Sequence, residues 1–385
     1  MSDIRQVLDW LAGGALSGAQ SQDVLAEMCE RMVDCGIPLW RVAVFVTTLH
    51  PDVMGRRFLW QAESGVTTSE ALHEIKETDD FRLSPFSTVY ATRVPLRRRL
   101  ADKDCQLDFD VLRDLRDQGG TDYAAFPLLF TDGSIHVATF ATRAPGGFSA
   151  AQFSDLESVI HPLARVAEIR ALRRTAGNLI DTYVGHQTGE RILAGKIRRG
   201  YVEAIRAAVW LSDMRGFTAL SERAPPQAVI ERLNVYFGCQ VPAILEHGGE
   251  VLKFMGDGLL AIFPIDGDQD AGSVCRRALD CARDFRARIA ALPRQGDNDA
   301  IRFAVALHLG EVMYGNIGGG NRLDFTCIGP AVNLAARLEK VAAKLREAVV
   351  ASADFAAQCR EQFRSLGEHA VAGFVAPQPV FGLAD

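Results

Sequence analysis

Gly256-Asp257-Gly258 joins two apolar runs, Glu250-Val251-Leu252-Lys253-Phe254-Met255 and Leu259-Leu260-Ala261-Ile262-Phe263. Asp and Gly between β-rich runs favour a tight reversal, so this stretch predicts a hairpin with a carboxylate at its tip. Upstream, Ala207-Ala208-Val209-Trp210-Leu211-Ser212-Asp213 has the composition of a short buried strand and also ends in a carboxylate. Between the two, Val229, Leu233, Tyr236, Phe237 and Ile244 outline an amphipathic helix, bounded by Pro225-Pro226 and Gly248-Gly249. Adjacent strands of one sheet would bring Asp213 and Asp257 to the same edge. Two such acids suit Mg²⁺, which takes few protein carboxylates and keeps its other positions for water or substrate phosphates. After Asp213 comes Met214-Arg215-Gly216-Phe217-Thr218. Thr218 reads as an N-cap, so the turn would offer free backbone N–H groups to phosphate.

Farther on, Arg302–Leu309 alternates, with Phe303, Val305, Leu307 and Leu309 on one face of a strand. Pro330 is well placed to open a helix on which Asn333 and Arg337, four apart, share a face while Val332, Ala336 and Leu345 turn to the core. The 385 residues call for two or three domains, and 48% hydrophobic with 23% charged residues excludes a disordered chain. Forty-two basic against 48 acidic residues leave a charge of -6, which gives no footprint for a nucleic-acid partner. No segment reaches the ~20 apolar residues of a membrane span, and Met1-Ser2-Asp3-Ile4-Arg5 lacks an export signature, so a cytoplasmic protein is expected. The eight cysteines contain no Cys-x-x-Cys and the histidines no His-Glu-x-x-His; reduced core thiols are expected.

The first 150 residues read differently. Val7, Leu8, Leu11 and then Val24, Leu25, Met28, Met32 predict helices. Val42–Thr47 and Phe58–Gln61 predict strands around a His50–Gly55 turn, and Tyr123–Phe130 with Ile135–Thr142 predicts a hairpin about Thr131-Asp132-Gly133-Ser134. The order implies a mixed sheet with helices on one side, and His136 and Cys105 read as structural. From Ala151 to about Gly200 the chain turns helical. Ile169, Leu172, Ala176, Leu179 and Tyr183 form a stripe that suits either a two-stranded coiled coil or packing on the chain's own sheet.

Three stretches together resemble a class III adenylate or guanylate cyclase catalytic domain over residues 204–352: Leu211–Thr218, Val251–Gly258 and Ile328-Gly329-Pro330-Ala331-Val332-Asn333-Leu334-Ala335-Ala336-Arg337. The resemblance implies an α+β fold with a ferredoxin-like βαββαβ core and a homodimer with composite sites. It implies two Mg²⁺ or Mn²⁺ ions held by Asp213, Asp257 and the Met214 carbonyl. Asn333 would orient the ribose, and Arg337 would meet charge developing on the α-phosphate. Lys253 and Thr326 fall at the base-reading positions and resemble the adenylate branch, hence ATP, whereas guanylate enzymes carry Glu and Cys there. Gly216, Phe217 and Thr218 would contact phosphates. One departure is Ala372, in Gly367–Phe374, where a Lys or Arg commonly holds the terminal phosphates; Arg322 is a substitute from another direction or a solvated loop residue. Phe126-Pro127-Leu128 and Pro145-Gly146-Gly147-Phe148-Ser149 resemble a GAF-type sensory domain. The expected organisation is a GAF-like mixed α/β domain over 1–150, a helical signalling or dimerisation linker over 151–200 and the cyclase domain over 201–385, with an unspecified regulator at the first.

Overall fold

The computed structural model describes residues 3–48, 53–72, 78, 83–293, 300–320 and 322–384, and the chain divides into two compact units, Met1–Leu179 and Ile180–Asp385.

In the first unit, α1 (Ile4–Ala12) and α2 (Ser21–Asp34) bury the apolar residues that their spacing marks, Val7 and Leu11, then Val24, Leu25, Met28 and Met32. There follow β1 (Arg41–Thr47), β2 (Val53–Gln61), β3 (Gly65–Leu72), α3 (Pro85–Thr92), β4 (Leu96–Arg98), α4 (Asp110–Asp117), β5 (Asp122–Leu129), β6 (Ile135–Thr142) and α5 (Ala150–Val184). The strands form one sheet in the order β3-β2-β1-β6-β5-β4. Every pairing is antiparallel, so the expected mixed sheet is not formed. Nor are the helices on one side. α1, α2 and α5 pack with Val42, Val44, Phe126 and Phe140, while Val89 of α3 and Leu112 and Leu115 of α4 pack with Trp40, Tyr123 and Val137. The reason is in the strands: β5 and β6 are buried at nearly every residue, so both sheet faces need a cover. Of the expected His50–Gly55 turn, Val53, Met54 and Gly55 belong to β2, and His50–Asp52 lie outside the described residues.

His136 is structural. It is 2% exposed, accepts the Thr47 N–H at Nδ1 (3.2 Å), meets Ser134 Oγ at Nε2 (3.1 Å) and packs on the Phe130 ring. The 35 residues of α5 answer the question left open by its stripe. Leu156, Val159, Ile160 and Leu163 do the packing on the sheet, whereas Ile169, Leu172 and Tyr183 are 49, 62 and 83% exposed. All eight cysteines are free; Cys35 and Cys105, both in the first unit, are half-buried and the other six are buried.

The second unit starts with α6 (His186–Leu193) and β7 (Val202–Met214), followed by α7 (Phe217–Arg223), α8 (Pro226–Glu246), β8 (Glu250–Met255), β9 (Gly258–Pro264) and α9 (Ala271–Ala290). It continues with β10 (Phe303–Gly319), β11 (Arg322–Ile328), α10 (Pro330–Leu345), β12 (Val349–Ser352), α11 (Ala353–Ala356), β13 (Phe363–His369) and β14 (Gln378–Leu383). The sheet order is β13-β14-β12-β10-β7-β9-β8, with β11 on β10. Within it, the antiparallel run β10-β7-β9-β8 with α8 and α9 as connections is a ferredoxin-like βαββαβ arrangement. Alternation along β7 sends Ala208 and Trp210 into a core with α8 and α9, and Ala207, Val209 and Leu211 into a second core beneath α10. Among the described residues no helix is long and apolar enough to cross a membrane.

Candidate active site

Asp213 lies one residue beyond the last β7–β9 pair, Ser212↔Leu259, and opposite Ala304 of β10. The β8–β9 hairpin reverses at Gly256-Asp257, where Gly256 takes φ +69° and Met255 pairs with Gly258. The turn therefore folds back beside the end of β7. A Cβ on Gly258 would stand 2.8 Å from the Ser212 carbonyl oxygen and 3.4 Å from Asp213 Oδ1, so only glycine lets the hairpin come this close. Gln240 of α8 donates to Ser212 Oγ at 2.5 Å and fixes the strand end from the other face.

Burial, the charge of Asp257 and a hydrogen bond between the two carboxyls push Asp213 up to about 7. Glu339 of α10, itself buried and raised, adds a smaller repulsion. Near neutrality the pair therefore holds a proton between its carboxyls. Once that proton is displaced, the hard carboxylate oxygens fit Mg²⁺ or Mn²⁺. Among the described residues no group of three or more His, Cys, Asp or Glu is placed to hold a metal ion.

The phosphate-side expectation needs one correction. α7 begins at Phe217 with Gly216, at φ +78°, as its N-cap, so Thr218 is the second helical residue and caps nothing. Glycine wins that position because the chain must turn left-handed directly after β7. Arg215 went unnoticed in the sequence. Its guanidinium donates to the carbonyls of Ala342 (2.9 Å) and Glu347, tying the end of α10 to the end of β7, and nothing but its place after Met214 marked it.

Lys253 of β8 pairs with Asp324 of β11 at 3.2 Å, and Thr326 is two residues further along β11. Phe325 and Cys327 turn into the core under α10, where burial pushes the Cys327 thiol up to about 12. Thr326 is 3% exposed, and its hydroxyl has no partner among the described residues. Asp324 was missed, although the period of two that places it with Thr326 was legible. On α10, Asn333 is exposed and Arg337 half-buried. The Arg337 guanidinium lies 5.5 Å from the centre of the Phe374 ring, and a Cβ on Gly373 would come within 2.9 Å of Nη1. Arg337 is thus seated against the turn between β13 and β14, in which Ala372 is exposed. Arg322 is exposed at the start of β11. Among the described residues no ion pair or hydrogen bond joins the Asp213–Asp257 edge to Lys253, Thr326, Asn333 or Arg337.

A buried network was also invisible in the sequence. Thr188 of α6, 1% exposed, donates to Glu250 Oε1 at 2.7 Å, and Tyr314 donates to Glu250 Oε2 at 2.6 Å. Arg191 covers the Tyr314 ring at 4.8 Å and pairs with Glu203 at 3.2 Å. The helix before the catalytic sheet is therefore pinned to the first residue of β8, the strand of Lys253.

Residues 203–379 match the family described as the adenylate and guanylate cyclase catalytic domain, and the second unit carries that domain. Among individual proteins, the chain is similar to an adenylate cyclase of Anabaena cylindrica, 35% identical over 150 residues that make up 37% of this chain and 28% of that one. It is also similar to adenylate cyclase 1 of Rhizobium meliloti, 29% identical over 235 residues, 57% of this chain and 35% of the relative. The chain thus spans about a third of the length of these relatives. The adenylyl cyclase CyaB from P. aeruginosa, a solved structure, is 29% identical with a TM-score of 0.44, over 48% of this chain and 96% of that one.

Proposed function

We propose that this chain is an adenylate cyclase that converts ATP to 3′,5′-cyclic AMP and pyrophosphate, as a homodimer whose two sites each draw on both chains. The observation that carries this reading is the facing Asp213–Asp257 carboxyl pair at the strand edge of a cyclase domain. Asp213 and Asp257, with the Met214 carbonyl, would hold two Mg²⁺ or Mn²⁺ ions, which when bound polarise the attacking hydroxyl and stabilise the leaving oxygen. The ribose 3′-oxygen bonds to the α-phosphorus, loses its proton, and the bond to pyrophosphate breaks in line. Asn333 orients the ribose, and Arg337 donates to the charge that grows on the α-phosphate. The N–H groups of Gly216, Phe217 and Thr218, with Arg322, face the phosphates.

Adenine reading falls to Lys253, which leaves Asp324 to donate to a ring nitrogen, and to Thr326, whose unspent buried hydroxyl gains a partner in the exocyclic amino group. The exposed Ala372 supports weaker ATP binding than a Lys or Arg there would give. Residues 1–150 are read as a GAF-like sensory domain and 151–200 as a helical signalling or dimerisation linker, in which the exposed stripe of α5 meets a second copy. Purified chain incubated with ATP or GTP and Mg²⁺ or Mn²⁺ tests the reading by product identification. Cyclic AMP from ATP is the expected result. Cyclic GMP alone would make it a guanylate cyclase, and nucleotide binding without product would make it a regulatory dimer. Lys253→Glu with Thr326→Cys should move preference towards GTP.

A further inference from the structure

Arg215 bridges two parts of one chain that the proposed dimer assigns to different sites. It follows Asp213 by two residues, and its backbone N–H donates to the Arg302 carbonyl at 2.8 Å, just before β10. Its guanidinium reaches the far end of α10, donating to the carbonyls of Ala342 (2.9 Å) and Glu347. Ala342 belongs to the last turn of that helix, where the helix dipole favours a cation. The acceptors are themselves held. Glu347 N–H returns to the Ala342 carbonyl at 3.1 Å, and the Glu347 carboxylate pairs with Arg364 of β13 at 2.5 Å.

Among the described residues Arg215 has no carboxylate within ion-pair distance, so what it grips is backbone. The side chain keeps this place although its buried Nε has no partner among the described residues, a cost that a solvent-facing rotamer would avoid. The helix it grips is turned in a particular way. Residues two apart on a helix point about 200° from each other. Glu339 is buried on the side towards its own chain's strand end: burial raises its carboxyl, Lys340 and Arg215 lower it, and Asp257 raises it again. Arg337 therefore faces away from that edge, towards Phe374.

We propose that Arg215 is a positioning residue for both sites of the dimer: it sets the turn after Asp213 in one site and the seat of Asn333 and Arg337 in the other. This rests on the composite-site reading above, in which a chain's carboxylate edge and its α10 serve different sites. Loss of the guanidinium is then felt twice, by different steps of the reaction.

Heterodimers of full-length chains separate the two effects. When an Asp213→Ala chain is mixed with an Arg337→Ala chain, activity comes from one site, built from the edge of the second chain and the α10 of the first. Arg215→Met is added to either chain, and rates are referred to the heterodimer fraction from native mass spectrometry. In the Arg337→Ala chain it should raise the Mn²⁺ concentration for half-maximal activity by about tenfold. In the Asp213→Ala chain it should lower kcat by about tenfold or more and leave the Mn²⁺ requirement unchanged. If Arg215→Met chains do not enter heterodimers, Arg215→Lys, which keeps the charge without the fork, is placed in the same two positions. No effect from the Asp213→Ala chain would overturn the proposal, since the grip on α10 would carry nothing. An equal fall in kcat from both placements, with the Mn²⁺ requirement unmoved, would also overturn it and mark general destabilisation. A parent mixture that stays inactive although heterodimers form would instead remove the composite-site reading, and the proposal with it.

Discussion

Asp213 faces a carboxylate where most strand ends face water, and this has opposite consequences for activity and stability. Asp213→Asn removes one of two facing charges and the hard oxygen a cation needs. Turnover should vanish, yet in EDTA at pH 8 the variant should melt above the wild type, since a carboxyl with a raised folded pKa destabilises the fold once it ionises. A variant that loses turnover and melts lower would make Asp213 a structural residue. His136 predicts a pH effect of the other sign. Burial holds its pKa down to about 4, so the unfolded chain takes up the proton first. The stability this contributes is complete above pH ~6.5 and lost as pH falls towards 4, by roughly 3 kcal/mol at most. Urea unfolding of the wild type between pH 7 and 4, against His136→Gln, checks it: the variant should lose less stability over that window.

At the level of elements, the Thr188–Glu250–Tyr314 network makes α6 part of the catalytic sheet's support. Thr188→Val keeps the shape and leaves one Glu250 oxygen without its donor, at a cost of about 1–3 kcal/mol. Because Glu250 opens β8, the substitution should raise KM for nucleotide more than it lowers kcat, whereas simple destabilisation would lower the active fraction and leave KM unchanged. None of this was legible in the chain, because Thr188 and Glu250 are 62 residues apart and neither carries a pattern. What could be read was local. Gly256-Asp257-Gly258 specifies a reversal by itself, and the apolar run before Asp213 specifies a buried strand. The second cover on the first unit's sheet escaped notice because α3 and α4 are only eight residues each, too short for a stripe to stand out. The N-cap at Gly216 escaped because Thr218 offered the commoner chemistry.

For the whole molecule, the question is whether one chain can hold a complete site. Among the described residues no hydrogen bond or ion pair joins Asp213 or Asp257 to Asn333 or Arg337, and in the proposed composite homodimer the partner would supply the missing half of each site. Asp213→Ala and Arg337→Ala, each inactive alone, should recover activity when mixed. In a heterodimer both lesions fall in one site and the other is intact, so activity should follow the heterodimer fraction measured by native mass spectrometry. Heterodimers without activity would require each chain to build its own site.

The distribution of thiols turns the two-unit division into something that can be timed. Cys35 and Cys105 are half-buried and belong to the first unit, whereas all five cysteines of the second, Cys239, Cys275, Cys281, Cys327 and Cys359, are buried. Alkylation needs the thiolate, and burial raises the pKa of Cys275 and Cys327 to about 12, so iodoacetamide reaches them only when the sheet opens. Burial raises the pKa of Cys35 and Cys105 as well, but their sulfurs are partly exposed, so peptide mapping after timed labelling should mark them before Cys275 and Cys327. The slower appearance of label at Cys275 and Cys327 would clock the opening of the catalytic unit alone, with no probe added to the chain.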